Sequence, residues 1–588
     1  MRSLFLFLLF VATALIAQAQ VQLQGTVNDA ANGEALPWCS ISVKGTGKGT
    51  VANSEGIFVL TVRVNRDTLV FSYVGYRSLE VPATRLLHDL KVLMEKAGIQ
   101  LEEVVVHADD DYLYEIVEKC RKKILKDNQV HFAKVYYGIE TLTREQPIEQ
   151  VECYYNGYLN GISVDSLLFR NGRIGCAELD QRYFLTLNSS MAVSQLNLVW
   201  KDQRYPSVPL QLTGKILKKA FHLTMEPGDR NLYRIGFQPR KEPRKNFAGS
   251  IWIDRRSFDI VKIDLVVENA INHPFSPIYR ADRLSEVSIS ISETYKLNGD
   301  FNVPDYMNFT YAFNYLTNRG NQENGNRDSI SRRITTHGLL CMYDYDSPFI
   351  RPYFTCDPGF DDYRKMSVIP YNPVFWENNR TMVLTERQKQ NLGFFASKGL
   401  LMNFGEGKYG RDFLTQVHYD STLYENYYTF WDSSRRLSLN RHLPQNRPYS
   451  ATKVNGQILS NLYHFEVQLL LDVTGVADSF NCRSYAVFDE KRSLFHLPVD
   501  KYTGTFINLY FDLYEIERRK MQQTLDSRRW TALQIDSVYR ATVKSAGSAA
   551  RRYLDEVKSG KNIHGLKRWN DNIKEQLGVD NFVSEHTR

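Results

Sequence analysis

The sequence predicts a multidomain, β-rich protein with an N-terminal β-sandwich, a central, mainly antiparallel β domain and a C-terminal α+β domain. Its 588 residues are enough for roughly four domains of ordinary size. The 35 Tyr and 32 Phe residues favour strands, because aromatic side chains suit the pleated surface of a sheet. Strand-like alternation with glycine-containing turns dominates up to about residue 340, and helical periodicity is concentrated near the end of the chain.

The first residues have the pattern of a secretory signal peptide. Arg2 precedes an apolar run from Leu4 to Ile16, and Ala17-Gln18-Ala19 is a small-x-small cleavage site. The run is shorter than the ~20 residues that cross a bilayer, which favours a cleaved signal peptide over an anchor helix. The predicted boundaries are a signal peptide at 1–19, a β-sandwich at 20–107, a connector helix at 108–130, a central β-rich domain at 131–340, a connector at 341–414 and an α+β domain at 415–588.

Charge and cysteine content exclude several classes of protein. The 73 Lys and Arg residues exceed the 66 Asp and Glu residues by only seven, without a long basic run, so we expect no nucleic-acid partner. Seven cysteines without a CxxC pair argue against a zinc ribbon or a thioredoxin-type site. Cys341 and Cys356 are spaced to close a local loop, but buried free thiols are the favoured interpretation for most of the seven.

The β-sandwich prediction rests on short alternating strands at Val21–Val27, Ser40–Val43, Ile57–Val62, Leu69–Ser72 and Arg77–Val81. Glycines lie between these strands, where a positive φ costs glycine little. Together the segments make a small sandwich of the seven-strand type.

Six short segments in this region resemble, in order and spacing, the carboxypeptidase-regulatory-like domain: Gly25-Thr26-Val27, Gly33-Glu34-Ala35-Leu36-Pro37, Val43-Lys44-Gly45-Thr46, Gly49-Thr50, Glu55-Gly56-Ile57-Phe58 and Phe71-Ser72-Tyr73-Val74-Gly75-Tyr76. The segment Leu101–Val106 is similar to the one that follows this domain in TonB-dependent receptors. The resemblance implies a transthyretin-like, non-catalytic module of Gram-negative envelope proteins. It therefore implies an exported protein located in the periplasm or at the periphery of the outer membrane.

Three features in the middle of the chain each allow two structural or functional interpretations. Apolar residues from Leu113 to Leu125 recur at helical spacing, which indicates a docked connector helix more than a membrane-surface helix. The hairpin 249–264 is similar to those of lipoprotein-carrier-like half-barrels, although a packed sheet is favoured over a lipid-binding groove. Trp376 is predicted to anchor neighbouring segments, with a carbohydrate-binding platform as the alternative. Thr385 and Gln388 predict a capping box for a helix through Gln390.

The C-terminal part resembles a family of secreted bacterial zinc-dependent peptidases in Arg436-Leu437-Ser438-Leu439, Ala451-Thr452, Phe488-Asp489, Asp512-Leu513-Tyr514-Glu515, Arg518-Arg519, His564-Gly565 and Trp569. That family carries a His-Glu-x-x-His helix, in which two imidazoles bind one Zn²⁺ and the glutamate activates water. The resemblance places Phe506, Ile507 and Tyr510 at the first His, the Glu and the second His. Phe and Ile have no donor atom, and Tyr is a rare zinc ligand because its pKa lies near 10.

No other catalytic pattern replaces the missing helix. The sequence contains no HExxH, GxSxG, P-loop or GxGxxG motif. His564 is assigned a packing or capping role in preference to metal ligation. The acid pairs Asp361-Asp362 and Asp344/Asp346 are assigned to turns in preference to a glycosidase site. We therefore predict no catalytic, cofactor-binding or metal-binding residues, and no cofactor.

These observations favour an exported cell-envelope binding or scaffolding protein, non-catalytic, with a pseudo-peptidase C-terminal domain. Its expected partner is an envelope protein, a glycan or a peptide, with peripheral association with the outer membrane as a further option. One alternative is a periplasmic hydrolase with a non-zincin site. A second alternative is an outer-membrane-associated component of a nutrient-uptake system, although the helical pattern of the final segments counts against a C-terminal barrel.

Overall fold

The computed structural model of the protein describes residues 20–84, 89–97, 111–127, 129–144, 146–177, 191–227, 230–277, 281–317, 330–405, 427–443, 453–454, 457–458, 463–476 and 479–582. The predicted signal peptide at 1–19, the segment Leu101–Val106 and Ala451-Thr452 lie outside these residues. The fold is β-rich and multidomain, with most helices near the C-terminal end, which confirms the predicted class.

The described residues divide into two compact units. Unit 1 comprises those of Met1–Pro348 and Asn379–Tyr419, and unit 2 those of Phe349–Asn378 and Asp420–Arg588. The predicted connector at 341–414 thus contributes residues to both units. The α-helices within the described residues are α1 Asp111–Lys126, α2 Gly214–Ala220, α3 Asp362–Val368, α4 Pro373–Asn378, α5 Glu386–Ser397, α6 Leu439–His442, α7 Thr503–Asp526, α8 Ala532–Val557 and α9 Ile563–Leu577.

Unit 1 begins with a seven-stranded sandwich, as the strand pattern predicted. Its strands are β1 Gln20–Asp29, β2 Ser40–Val43, β3 Gly49–Val51, β4 Ile57–Arg63, β5 Thr68–Ser72, β6 Leu79–Pro82 and β7 Asp89–Met94. They form two sheets with the orders β4-β1-β7 and β3-β2-β5-β6. Inward-facing residues such as Val27, Phe58 and Phe71 are fully buried between the sheets. Gly56 has a φ of +75°, and a Cβ there would lie 2.7 Å from the Val27 carbonyl oxygen, so glycine is required at this turn.

The central sheet of unit 1 has eleven strands in the order β11-β12-β13-β14-β15-β16-β17-β8-β9-β10-β18, and all neighbours are antiparallel. The strands are β8 Val130–Thr143, β9 Gln146–Asn160, β10 Ser163–Cys176, β11 Phe221–Glu226, β12 Leu232–Pro239, β13 Ala248–Asp254, β14 Ile260–Val267, β15 Arg283–Asn298, β16 Phe301–Thr317, β17 Ile330–Tyr343 and β18 Leu401–Met402. The predicted hairpin at 249–264 is present as β13 and β14. The long β15, β16 and β17 are consecutive hairpins, which keep sequence neighbours adjacent in the sheet.

One face of this sheet is apolar. Its register aligns a single row of side chains across eight strands, from β12 to β9: Ile235, Ile251, Ile263, Glu293, Met307, Leu340, Tyr137 and Cys153. All eight are buried. We call this set the apolar row. Such burial fits a packed sheet, the interpretation that the sequence favoured for this domain.

The opposite face carries a polar row in register: Ser290, Thr310, His337, Glu140 and Gln150. Helix α5 supplies partners for it. Arg387 and Asn391 both donate hydrogen bonds to the buried carboxylate of Glu140. A carboxylate that is buried in this way needs such partners, because an unpaired buried charge is costly. The helix is capped by Thr385 and Gln388 as predicted, but it extends to Ser397, beyond the predicted end at Gln390.

The segment before α5 also binds the N-terminal sandwich. Thr50 Oγ1 donates to the Thr381 carbonyl oxygen at 2.6 Å, and Asn53 Nδ2 donates to the Val383 carbonyl oxygen at 3.1 Å. We call residues 379–397 the strap. Because the strap bonds the sandwich through its first residues and Glu140 of the central sheet through α5, it joins the two parts of unit 1.

Unit 2 contains a three-stranded sheet in the order β19-β23-β22, packed against helices α7, α8 and α9. Its strands are β19 Tyr428–Phe430, β22 Tyr463–Val476 and β23 Ser479–Phe495, and a separate small hairpin is formed by β20 Lys453–Val454 and β21 Gln457–Ile458. Alternate residues of β22, including Phe465, Val467 and Leu469, are buried in the core that α7 completes. The sheet and α7 therefore form the core of unit 2.

Two further findings concern the membrane and the thiols. Among the helices of the described residues, none is both long and apolar enough to cross a membrane. All seven cysteines are free thiols, five of them buried and two, Cys356 and Cys482, half-buried. The local loop considered for Cys341 and Cys356 is therefore not closed by a disulfide.

Candidate functional site

Helix α7 carries the positions at which the resemblance placed metal ligands. Phe506, Ile507 and Tyr510 are buried in the core of unit 2. The Phe506 ring lies 5.6 Å from the rings of Tyr463 and Phe465, measured between centroids. These distances are ordinary for packed aromatic pairs. The three positions are thus part of a closed aromatic core.

Tyr510 has the one donor atom among these three side chains, and that atom is engaged. Its hydroxyl donates to the Phe465 carbonyl oxygen at 3.3 Å. Burial and the neighbouring Tyr514 raise the pKa of Tyr510 far above its ordinary value. A phenol binds a divalent cation as the phenolate, which this environment disfavours. The residues at 506, 507 and 510 do not fit a zinc ion.

The acids of the same helix are also engaged. Asp512 is completely buried and accepts hydrogen bonds from Arg436 to both carboxylate oxygens, at 2.6 and 2.7 Å. Trp431 Nε1 and Asn581 Nδ2 donate two more, at 2.7 and 2.8 Å. Four hydrogen bonds from three side chains saturate the carboxylate.

Glu515, one turn further along α7, has a comparable set of partners. Arg518 Nε and Nη2 contact its two carboxylate oxygens at 2.7 and 2.8 Å, and Arg519 Nε lies 2.9 Å from one of them. Glu515 and Asp512 thus bind arginines that belong to the resembling segments 436–439 and 518–519. Both acids thus hold α7 in place through these ion pairs.

The remaining sequence candidates have structural roles. Asp361 caps α3 by accepting a hydrogen bond from the Arg364 backbone N–H, and Asp362 lies 2.8 Å from Lys365 Nζ. Asp344 binds Lys134 Nζ at 2.9 Å. Asp361, Asp362 and Asp344 therefore have capping or ion-pairing roles.

One sequence expectation needs correction, and one of the alternatives is excluded. His564 is exposed in the first turn of α9, and the cap of that helix is Asn562, whose side chain accepts from the Gly565 N–H, so the packing or capping role predicted for His564 is wrong. Trp376 is buried in unit 2, where its ring lies 5.9 Å from that of Phe375. A buried indole cannot present its face to a sugar, which excludes the carbohydrate platform.

Within the described residues, no group of three or more His, Cys, Asp or Glu side chains is placed to hold a metal ion. The structure instead shows one unusual acid, Glu293 of β15, which is buried among apolar residues and which the sequence analysis did not single out. It lies in the apolar row between Ile263 of β14 and Met307 of β16, and only 5% of its surface is exposed. Burial raises the pKa of Glu293 to about 8, although Tyr295 acts in the opposite direction.

The pattern of residues around Glu293 could have identified it from the sequence as an acid on the buried face of its strand. The run Ser288–Tyr295 alternates serine and isoleucine, and Glu293 then occupies the position of the next isoleucine. Burial, and to a smaller extent Glu293 and Cys120 of α1, raise the pKa of Tyr295, which places α1 near Tyr295. A carboxyl group that stays protonated at neutral pH can donate a hydrogen bond within an apolar environment. Perturbed acids of this kind cluster at functional sites, which makes Glu293 a candidate.

Comparison with known proteins identifies the N-terminal part of the chain. Residues 23–106 match the family model of the CarboxypepD_reg-like domain. The chain is 32% identical over 103 residues to TonB-dependent receptor P3 of Formosa agariphila, and 38% identical over 85 residues to receptor P26 of the same organism. These stretches cover 18% and 14% of this chain. The chain spans only 10% and 8% of the length of the two receptors.

Solved structures show only distant likeness. A LolA superfamily protein from Nitrosomonas europaea aligns with a TM-score of 0.17 and 11% identity, over 42% of this chain and 97% of that one. A DUF1329 family protein from Desulfovibrio piger aligns with a TM-score of 0.17 and 8% identity, over 43% and 95%. Such scores support no argument about the central sheet, and the resemblance of the C-terminal part to zinc peptidases stays a prediction. What is established is that residues 23–106 of this chain are a CarboxypepD_reg-like domain.

Proposed function

We propose that this chain is an exported, non-catalytic binding or scaffolding protein of the cell envelope, with a pseudo-peptidase domain in unit 2. The observation that carries the proposal is the packing of α7. Phe506, Ile507 and Tyr510 fill an aromatic core at the positions where a peptidase of the resembling family would hold zinc, and Asp512 accepts four hydrogen bonds from three side chains. A helix in this state stabilises unit 2 and offers no group for hydrolysis.

The N-terminal domain supports the location. It is similar to segments of TonB-dependent receptors, and the sequence before it has the pattern of a signal peptide. Thr50 of its strand β3 and Asn53 of the turn between β3 and β4 bond the strap. We therefore propose that the domain is a fixed part of unit 1, and that the protein acts in the periplasm or at the periphery of the outer membrane. An envelope protein, a glycan or a peptide is the proposed partner.

A second candidate function follows from the same similarity. Three TonB-dependent receptors of one organism match the N-terminal region, at 32–38% identity. This favours, as the alternative, an outer-membrane-associated component of a nutrient-uptake system. Co-purification with a TonB-dependent receptor after mild cross-linking would support this alternative over a scaffold with unrelated partners.

The proposal is tested by fractionation and by a peptidase assay. The tagged full chain is expected in the envelope or periplasmic fraction, whereas a matched version without residues 1–19 is expected to stay in the cytoplasm. Purified residues 20–588 are expected to leave a mixed peptide substrate intact, with and without EDTA. Cytoplasmic retention of the full chain would overturn the location, and EDTA-sensitive cleavage would overturn the non-catalytic assignment.

A further inference from the structure

Helices α8 and α9 carry a concentration of positive charge. Residues 532–577, which span both helices, contain nine Lys and Arg residues against five Asp and Glu residues, an excess of four. Positive charge therefore exceeds negative charge in this helical region of unit 2.

The basic side chains of α8 lie on its solvent face. Its buried residues, including Ile535, Ala546 and Tyr553, face the core of unit 2. Arg540, Lys544 and Arg551 are all exposed. Because they are separated by four and seven positions, they form one line along the helix, about 16 Å from first to last. We call this line and the exposed basic residues that continue it toward α9 the basic face: Arg540, Lys544, Arg551, Arg552, Lys558, Lys561 and Lys567.

Little of this charge is neutralised locally. Arg540 pairs with Asp536 at 2.8 Å, and both side chains reach solvent. Within the described residues, no ion pair involves Lys544, Arg551, Arg552, Lys558, Lys561 or Lys567. Clustered like charges of this kind repel one another, so their placement is unfavourable for folding and favourable for an anionic partner.

Exposed apolar side chains accompany the basic face. Leu533 in the first turn of α8 is 82% exposed, and Val543 and Ile563 are exposed on α8 and α9. Basic residues combined with exposed aliphatic groups on one helical surface are typical of proteins that lie on anionic bilayers. An acidic protein surface could match the positive charge. Contact with Leu533 would stabilise that complex only if the protein also provided an apolar pocket.

We infer that the basic face docks on the anionic lipid headgroups of a membrane surface. This inference rests on the proposed envelope location and adds the surface and the chemistry of the contact. Each Lys or Arg near an anionic surface contributes roughly fivefold to partitioning, so several together give substantial binding without a membrane-spanning element. The contact is electrostatic and is therefore expected to weaken as salt screens it.

The test is co-sedimentation of residues 20–588 with vesicles. Binding is expected to phosphatidylcholine vesicles that contain phosphatidylglycerol, to be reversed by salt, and to be absent with phosphatidylcholine alone. The variant K544E/R551E/R552E is expected to bind about a hundredfold or more weakly. The control K48E/K91E/K201E changes the net charge equally at exposed sites that are dispersed along unit 1, and it is expected to bind like the native chain. Unchanged melting temperatures establish that both variants fold.

Several outcomes would overturn the inference. Equal binding of K544E/R551E/R552E and the native chain would show that another surface is responsible, and equal binding to both vesicle types would show that charge is not the cause. Binding to heparin but not to anionic vesicles would indicate a polyanionic glycan. If the native chain fractionates with the envelope but binds neither type of vesicle, the inferred docking on lipid is wrong and the proposed location is unaffected. If it binds vesicles but is cytoplasmic in cells, the proposed location fails.

Discussion

Arg436 neutralises Asp512 through two hydrogen bonds, at 2.6 and 2.7 Å, to the two oxygens of a carboxylate that has no exposed surface. The arginine comes from the segment before the small helix α6, and the aspartate from the middle of α7. The pair therefore fixes an otherwise irregular segment to the central helix of unit 2. Removing one partner of such a pair leaves the other as an uncompensated buried charge, which costs more than the pair contributes.

Arg436→Met is expected to destabilise unit 2 by about 3–5 kcal/mol, because Asp512 then loses its only cationic partner among the described residues. Hydrogen exchange of the α7 amides measures the change in the free energy of opening. Arg435→Met is the matched control, since Arg435 is exposed and adjacent, and its effect is expected to stay within about 0.5 kcal/mol. Equal effects of the two substitutions would contradict the role of the pair.

Glu293→Gln is expected to change how stability depends on pH. The pKa of Glu293 is raised to about 8 in the folded chain, from about 4.3 in the unfolded chain. Between these values the folded state keeps a proton that the unfolded state releases, so native stability decreases as pH rises through this window. The variant has no such proton to release, so its stability does not decrease in this way. The difference in the free energy of unfolding between the variant and the native chain should therefore shift in favour of the variant by about 3 kcal/mol between pH ~4 and pH ~7.

Chemical denaturation of unit 1 at several pH values measures this difference. Glu286→Gln is the control on the same strand, because Glu286 is exposed and its partner Arg333 lies 4.0 Å away at the surface. A pH-independent difference between Glu293→Gln and the native chain would show that Glu293 is ionised in the folded state at neutral pH.

Asn53→Asp isolates the contact between the sandwich and the strap. The Asn53 side-chain oxygen accepts from the Glu55 and Ile57 amides, which an aspartate preserves, while its Nδ2 donates to the Val383 carbonyl. The variant places a carboxylate against that carbonyl and should cost about 1–3 kcal/mol. Hydrogen exchange in both the sandwich and α5 should increase if the strap joins them. Faster exchange confined to the sandwich would contradict that role.

Phe506→Ala tests whether the position that the resemblance assigns to the first metal ligand is a packed core. Deleting a buried aromatic ring costs about 3–5 kcal/mol, and Phe506 contacts three other aromatic rings. Leu533→Ala, on the neighbouring helix at an exposed site, should change stability by less than about 0.5 kcal/mol. Urea unfolding of unit 2 compares them. A loss below about 1 kcal/mol for Phe506→Ala would indicate an open site at this position.

Local patterns predicted much of the fold. Strand β2 has the predicted bounds Ser40–Val43, α1 follows the apolar spacing from Leu113, and the capping box of Thr385 and Gln388 marks the start of α5. In each case the information lies within a few neighbouring residues, where periodicity and capping operate.

Helix α8 was not predicted, and neither was the apolar row. The buried face of α8 consists largely of alanines, such as Ala546 and Ala550, which give little contrast in hydrophobicity, although the capping box of Thr531 and Gln534 marked its start. The environment of Glu293 depends on registers between strands distant in sequence. The bond between Thr50 and Thr381 joins residues 331 positions apart, so no local pattern contains it.

Metal analysis of purified residues 20–588 tests the central claim most directly. The claim is that α7 serves packing, with carbon atoms and one engaged phenol at positions 506, 507 and 510. After dialysis against zinc and then against buffer, the chain is expected to retain far less than one equivalent of zinc. One tightly bound equivalent per chain, lost in Phe506→Ala or Tyr510→Phe, would contradict the account.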